Sequence, residues 1–244
     1  MRKLYEMLTP KLVRQQVDMD ELLDRVVPAS GKGLNLGSKA VRLERPDKPG
    51  FTWINVDKVA GPNVDVVCDV LELSRHEQFR VGGTVDVVVI SATLQYVSRP
   101  GETDAPKEAV QQIAHVLKPG GIVVCNTPFL QQVCPEPGSV DVHRFSPERL
   151  REMYGSQFDI LELGVAIGVG SAMASAAYSV ADQCVQNRAA SALLRLVVGW
   201  AVKPLIWLPA GGINTAGGHY LIGRRKVDDA RAAQSDQRPS SMLS

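Results

Sequence analysis

Leu34-Asn35-Leu36-Gly37-Ser38, Trp53-Ile54-Asn55-Val56-Asp57 and Val64-Asp65-Val66-Val67-Cys68-Asp69 are the runs that decide the fold. Each is short, apolar and ends on Gly, Asp or Ser, the pattern of parallel strands covered by helices on both faces. Open sheets of that kind bind ligands at the carboxyl ends of their strands, where the first crossover leaves a crevice. Asp57, twenty positions after Gly37, stands where a carboxylate can accept from two hydroxyls of a ribose.

Further along, Val85-Asp86-Val87-Val88-Val89-Ile90 is the most continuous β-branched run and predicts a central fourth strand, with Ser91 at its carboxyl end. Pro106 to Leu117 carries Ala109, Val110, Ile113, Ala114 and Leu117 at the spacing of a helix packed on one side. It stops at Lys118-Pro119-Gly120-Gly121, and Ile122 to Cys125 forms strand five. Ser146-Pro147 opens another helix, and Phe158 to Leu163 and His219 to Gly223 supply two late strands. The expected architecture is α/β: a Rossmann-like, doubly wound sheet of about seven strands, mostly parallel with an antiparallel late strand. Ser38 to Glu44 predicts a crossover helix of only about two turns, ended by Arg45-Pro46.

Around this core the chain divides into a helical extension over 1–30, the α/β domain over 31–226 and a polar tail over 227–244 expected to be disordered. The extension predicts one or two amphipathic helices that lean on the sheet or close over its crevice. An insertion at about 171–210 interrupts the late strands. Leu163 to Ala181 is uncharged but dominated by Gly, Ala and Ser, so no membrane span is expected there. Residues 189–213 are more apolar, interrupted by Arg195, Lys203, Pro204 and Pro209. They predict a buried helix or a homo-oligomer contact first, and a segment lying on a membrane surface second.

Composition narrows the function classes. The chain is 45% apolar and 22% charged with a net charge of +1, values of an ordinary soluble domain that give no electrostatic reason to expect nucleic acid. Cys68, Cys125, Cys134 and Cys184 lie far apart without a C-x-x-C pair, so no metal site is expected. Cys68 and Cys125 sit in apolar runs as small buried hydrophobes. The N-terminal residues lack the apolar core of a secretion signal, which makes the cytoplasm, with or without membrane association, the expected compartment.

With the motifs in place, the chain resembles the class I S-adenosylmethionine-dependent methyltransferases, in particular the small-molecule and sugar group called type 11. The likeness runs from about Gly33 to Arg225, and Val116-Leu117-Lys118-Pro119-Gly120-Gly121 is its most specific feature. It implies S-adenosyl-L-methionine as cofactor, with Gly37 approaching it closely because a Cβ there would fill the ligand's space. Asp57 would take the ribose hydroxyls, Asp69 and the Val70 backbone the adenine, and Ser91 and Ala92 the methionine part. The chain departs from the pattern at Ser38-Lys39-Ala40, at Asn35 and at Gln95-Tyr96. Asp141-Val142-His143-Arg144-Phe145-Ser146-Pro147 is similar to a segment of methyltransferases encoded near polysaccharide or glycolipid genes. That likeness implies O-methylation of a small-molecule, glycan or lipid-linked acceptor. His143 is the candidate base, oriented by Asp141; the competing reading is that His143 and Arg144 only brace the following helix. Two other classes stand beside this one. A non-catalytic binding or scaffold subunit would explain the degenerate glycine turn, and a nicotinamide oxidoreductase would need the G-x-G-x-x-G that is missing here.

Overall fold

The computed structural model describes residues 8–99, 104–133, 140–184 and 187–227. Expectations for residues 3–7, for Cys134 and for the tail from 228 fall outside them. The strands are β1 (Ser30–Leu36), β2 (Gly50–Asp57), β3 (Val66–Val67), β4 (Val85–Ser91), β5 (Leu117–Pro128), β6 (Phe158–Ile167) and β7 (Gly218–Arg225). They form a seven-stranded sheet in the order β3-β2-β1-β4-β5-β7-β6. Pairs β3–β2, β2–β1, β1–β4 and β4–β5 are parallel, and β7 runs antiparallel to both β5 and β6. Winding outward from β1 in one direction and from β4 in the other puts the switch point between those two strands.

β4 shows why the sheet is buried on both sides. Val88 and Ile90 join the core under α2 (Ala105–Val116) and α3 (Pro147–Gly155), while Val87 and Val89 join a second core with Leu22 and Leu23 of α1 (Met19–Val26). Adjacent strand residues point to opposite faces, so a continuous β-branched run feeds both layers. Leu117 pairs with Val85 and Ile122 with Val87, so the expected turn at 118–121 is a bulge inside β5, with Gly120 at a φ of 78°. Ser146 caps α3 by accepting from the Arg149 N–H at 3.2 Å, as its sequence predicts.

Several expectations need correction. No helix crosses from β1 to β2; residues 37–49 are irregular. Two buried amides hold that crossover instead. Asn35 Nδ2 donates to Asn55 Oδ1 at 2.9 Å and to the Val41 carbonyl at 2.8 Å, and Asn55 Oδ1 also accepts from Leu43 N at 2.8 Å. Asp65 accepts from Asn55 N at 2.9 Å and from Arg42 at 2.7 Å. Ser38 to Glu44 is too short a helical pattern to compete with this network before Pro46 and Pro49. In the extension, residues 10–17 are extended rather than helical, and Gln15 bridges Ile167 at the sheet's end. β3 is reduced to two residues because Asp65 is drawn into the Asn55 network. The insertion forms α4 (Val169–Gln183) and α5 (Arg188–Val202), and α5 is not buried: Leu193, Val197 and Trp200 are each more than half exposed.

Asn55→Ala is expected to lower stability by about 2–3 kcal/mol, because it strands the Asn35 amide and the Leu43 N–H. Burial alone would raise the Asp65 carboxyl, but hydrogen bonds from Asn55 and the Arg42 guanidinium hold it below its ordinary value. A depressed carboxyl stabilises the fold above its unfolded value and loses that contribution as pH falls through the folded one. Urea titrations should therefore show the deficit of Asn55→Ala shrinking in acid.

Candidate active site

The strand ends on either side of the switch point open into a cavity of about 680 Å³, within the range of small-molecule sites. Gly37, Asp57, Asp69, Val70, Ser91 and Asp141 all line it. His143 does not.

Gly37 sits at the end of β1 with a φ of 83°, a conformation that costs a side chain about 1–2 kcal/mol. Its N–H donates to the Val56 carbonyl at 2.8 Å. A Cβ at this position would lie 2.0 Å from Thr93 Oγ1. The glycine is therefore demanded by the turn and by Thr93, whatever a ligand in the cavity adds to that demand. Thr93 Oγ1 is held by the Ser91 carbonyl at 2.9 Å and the Leu36 carbonyl at 3.3 Å. Between them Ala92 adopts a φ of 48°, and its N–H donates to the Asn126 carbonyl at 2.7 Å. A non-glycine residue in that region marks a turn held by its surroundings.

Asp57 is fixed by backbone donors: Oδ2 accepts from Lys39 N and Oδ1 from Val59 N, each at 3.0 Å. A carboxylate has about four lone-pair sites, so each oxygen can still accept one more hydrogen bond. Asp69 caps the 3-10 turn Val70–Arg75, Oδ1 accepting from Leu71 N at 2.9 Å. Cys68, against the same wall, has its thiol pushed up to about 11 by burial, with Asp69 and Glu72 adding to it. Cys125, within β5, is pushed up to about 12 by burial. Neither is a thiolate nucleophile near neutral pH.

The acceptor side differs from expectation. Arg144 donates to both oxygens of Asp141, NH2 to Oδ2 at 2.9 Å, and Arg144 also reaches the Gln131 and Gln132 carbonyls. Asp141 orients Arg144, not His143. The His143 ring lies against Phe145, with centroids 5.8 Å apart, and its backbone N–H donates to the Gln95 carbonyl at 3.3 Å. Arg144 thus ties this segment to residues 131–132 rather than to the helix that follows, and the His143 ring packs on Phe145.

Gln95 is the site residue that the sequence reading passed over. It is 4% exposed; Nε2 donates to the Ala92 carbonyl at 2.8 Å, and Oε1 has no partner among the described residues. Exchanging the two amide atoms would set an oxygen against the Ala92 carbonyl, so this orientation is fixed. A buried acceptor left open costs about 1–3 kcal/mol and marks where a ligand's donor belongs. Its position just past the fourth strand was the available signal. Gln15, Val17 and Met19 of the extension complete the wall.

Residues 52–125 match the family described as a methyltransferase domain. The match spans under a third of the 244 residues and marks a likeness to that family. No curated protein matches the chain in sequence. Among solved structures, the cyclase SpnF superposes with a TM-score of 0.50 at 17% identity, over 86% of this chain and 80% of that one. The Haemonchus contortus phosphoethanolamine N-methyltransferase 2, solved with S-adenosyl-L-methionine, gives 0.50 at 16% identity, over 85% of this chain and 52% of that one. The Burkholderia thailandensis 1,6-didemethyltoxoflavin-N1-methyltransferase gives 0.49 at 15%, over 86% and 76%. At these identities the likeness to SpnF and to the Haemonchus enzyme establishes the fold alone.

The Asp141–Arg144 pair predicts its own test. Asp141, with a side chain only 1% exposed, is expected to cost about 3 kcal/mol when replaced by Ala, since a guanidinium is left facing a dry wall. The double variant Asp141→Leu, Arg144→Met should recover most of that loss in urea unfolding.

Proposed function

We propose that this α/β domain transfers a methyl group from S-adenosyl-L-methionine to an acceptor, most simply an oxygen of a small molecule, glycan or lipid-linked compound. The observation that carries the reading is the convergence of Gly37 and Asp57 on one cavity at the switch point. The residues present fit the group. Both Asp57 oxygens keep acceptor capacity for a ribose diol, Asp69 and Val70 flank the adenine end, and Ser91 and the Ala92 turn border the methionine end.

When bound, the cofactor supplies a methyl on a sulfonium, a leaving group that needs no activation by the protein. What the chain has to add is orientation and exclusion of water. Gln95 Oε1 is the group suited to hold the acceptor's hydroxyl or amine N–H, with Asp141 and Arg144 stiffening the wall beside it. His143 lies outside the cavity and takes no part in this reading.

A second reading has a specific observation behind it. Asp141 is tied to Arg144 and no histidine lines the cavity among the described residues, so the acceptor side presents no unpaired base. A binding subunit that holds a nucleoside ligand without turnover would show the same walls.

Calorimetric titration of the folded protein with S-adenosylhomocysteine tests the first step, and roughly micromolar, one-to-one binding is expected. Asp57→Ala should weaken it about tenfold or more, the loss expected for hydrogen bonds to a charged group. Absence of heat from folded protein would overturn the cofactor reading. Transfer of a radiolabelled methyl to a cell extract separates enzyme from binding subunit. In that assay His143→Ala should retain wild-type rate within about twofold, while Gln95→Leu should lose it with cofactor binding intact.

A further inference from the structure

The helical insertion is apolar on the wrong side for a helix of a soluble protein. In α5 the outward positions are Leu193, Val197 and Trp200, at 64%, 59% and 54% exposure, continued by Trp207 at 66%. The inward positions include Ser191, which is buried, and Gly199, where a Cβ would come within 2.9 Å of Pro10. The paired helix α4 repeats the pattern with Met173 and Val180 exposed. Helices of soluble domains normally show polar residues to water.

Cations stand beside the exposed indoles of this face. From residue 184 to 223 the sequence contains no acid, and it contains Arg188, Arg195 and Lys203. Lys203 Nζ lies 4.4 Å from the Trp200 ring centre, and Arg14 Cζ lies 4.5 Å from that of Trp207. The Trp200 indole is anchored by donating to the Leu8 carbonyl at 3.0 Å. Two indoles held in place, each with a cation over it and aliphatic side chains beside it, have the composition of a membrane-interface surface.

We propose that α5 and the turn to Trp207 dock this protein, in the plane of the interface, on a bilayer surface containing anionic phospholipid. Residues 190–207 are long and apolar enough for a span by composition, but spanning is disfavoured because Arg195 and Lys203 fall within them and the regular helix ends at Val202, before the 3-10 turn Lys203–Trp207. Pairing with a second copy is disfavoured by charge. A two-fold contact would bring the same patch face to face, and with it Lys203 and Arg14 against their own kind. Lipid phosphates complement those cations, and the Leu, Val and Trp side chains enter the acyl boundary.

The cavity adjoins this surface. Gln132, which lines it, is hydrogen-bonded to the Ser175 carbonyl and the Ser179 hydroxyl of α4, and Leu130 and Val133 beside it are exposed. If the methyltransferase reading holds, an amphiphilic acceptor can reach the site without leaving the bilayer surface. That narrowing of the acceptor rests on the reading; the docking does not.

The full chain is floated with extruded vesicles of phosphatidylcholine alone and of phosphatidylcholine mixed with phosphatidylglycerol, without cofactor. Binding is expected to the mixed vesicles, to weaken as salt is added, and to be at least tenfold weaker to phosphatidylcholine alone. Leu193→Asp with Val197→Asp should abolish it, and Lys203→Glu should weaken it roughly tenfold; all three side chains lie outside the cavity, and an unchanged urea-unfolding midpoint reports folding. The proposal is overturned if wild-type protein stays out of the mixed-vesicle fraction, or if both variants float as wild type does. It is equally overturned if sedimentation shows a dimer that the double substitution dissolves.

Discussion

Where the β1–β4 ladder ends and the cavity begins, a single hydroxyl braces the two strand ends. Thr93 Oγ1 is shared between the carbonyls of Leu36 and Ser91, the last residues of β1 and β4. Because the chain winds outward from those strands in opposite directions, their carboxyl ends have no crossover to cover them. Thr93 fills the gap at its base. That contact sets φ at Gly37, supports the left-handed turn at Ala92, and leaves Gln95 with one amide atom bound and the other open. The floor of the site follows from the packing of one short side chain.

The crossover from β1 to β2 shows a different solution to the same covering problem. A helix there would satisfy its own backbone; the irregular chain over 37–49 cannot. Asn35 and Asn55 supply the missing partners from inside the sheet, with Asp65 and Arg42 closing the network at its rim. In return, the main chain of Lys39 comes close enough to orient Asp57. Asn35 is thus committed to structure.

Much of the scaffold was legible because its signals are local. Val85 to Ile90 could only be a strand buried on both faces, Ser146-Pro147 could only begin a helix, and the intervals between Gly37, Asp57 and Asp69 placed them at successive strand ends. The acceptor side was not legible. Asp141, His143 and Arg144 stand within four residues, and which of the last two the carboxylate would face depends on the loop's path. Arg144 won because its planar fork can bind both carboxylate oxygens while reaching the carbonyls of the facing loop. Residues 189–213 failed for a related reason: apolar periodicity states that a helix has an apolar face, not whether protein or solvent meets it.

By itself, the sequence determined the strand order's raw material, the helices flanking it and the identity of the carboxylates at its edge, since alternation, caps and breakers act over a few residues. Tertiary structure alone decided that an asparagine network stands in for the first crossover helix, that Gln95 and not His143 faces the cavity, and that α5 turns its leucine, valine and tryptophan outward. Each of these outcomes depends on contacts that strand and helix periodicity do not encode, such as that of Asn35 with Asn55, 20 residues away, and such partners meet only once the sheet has closed around them.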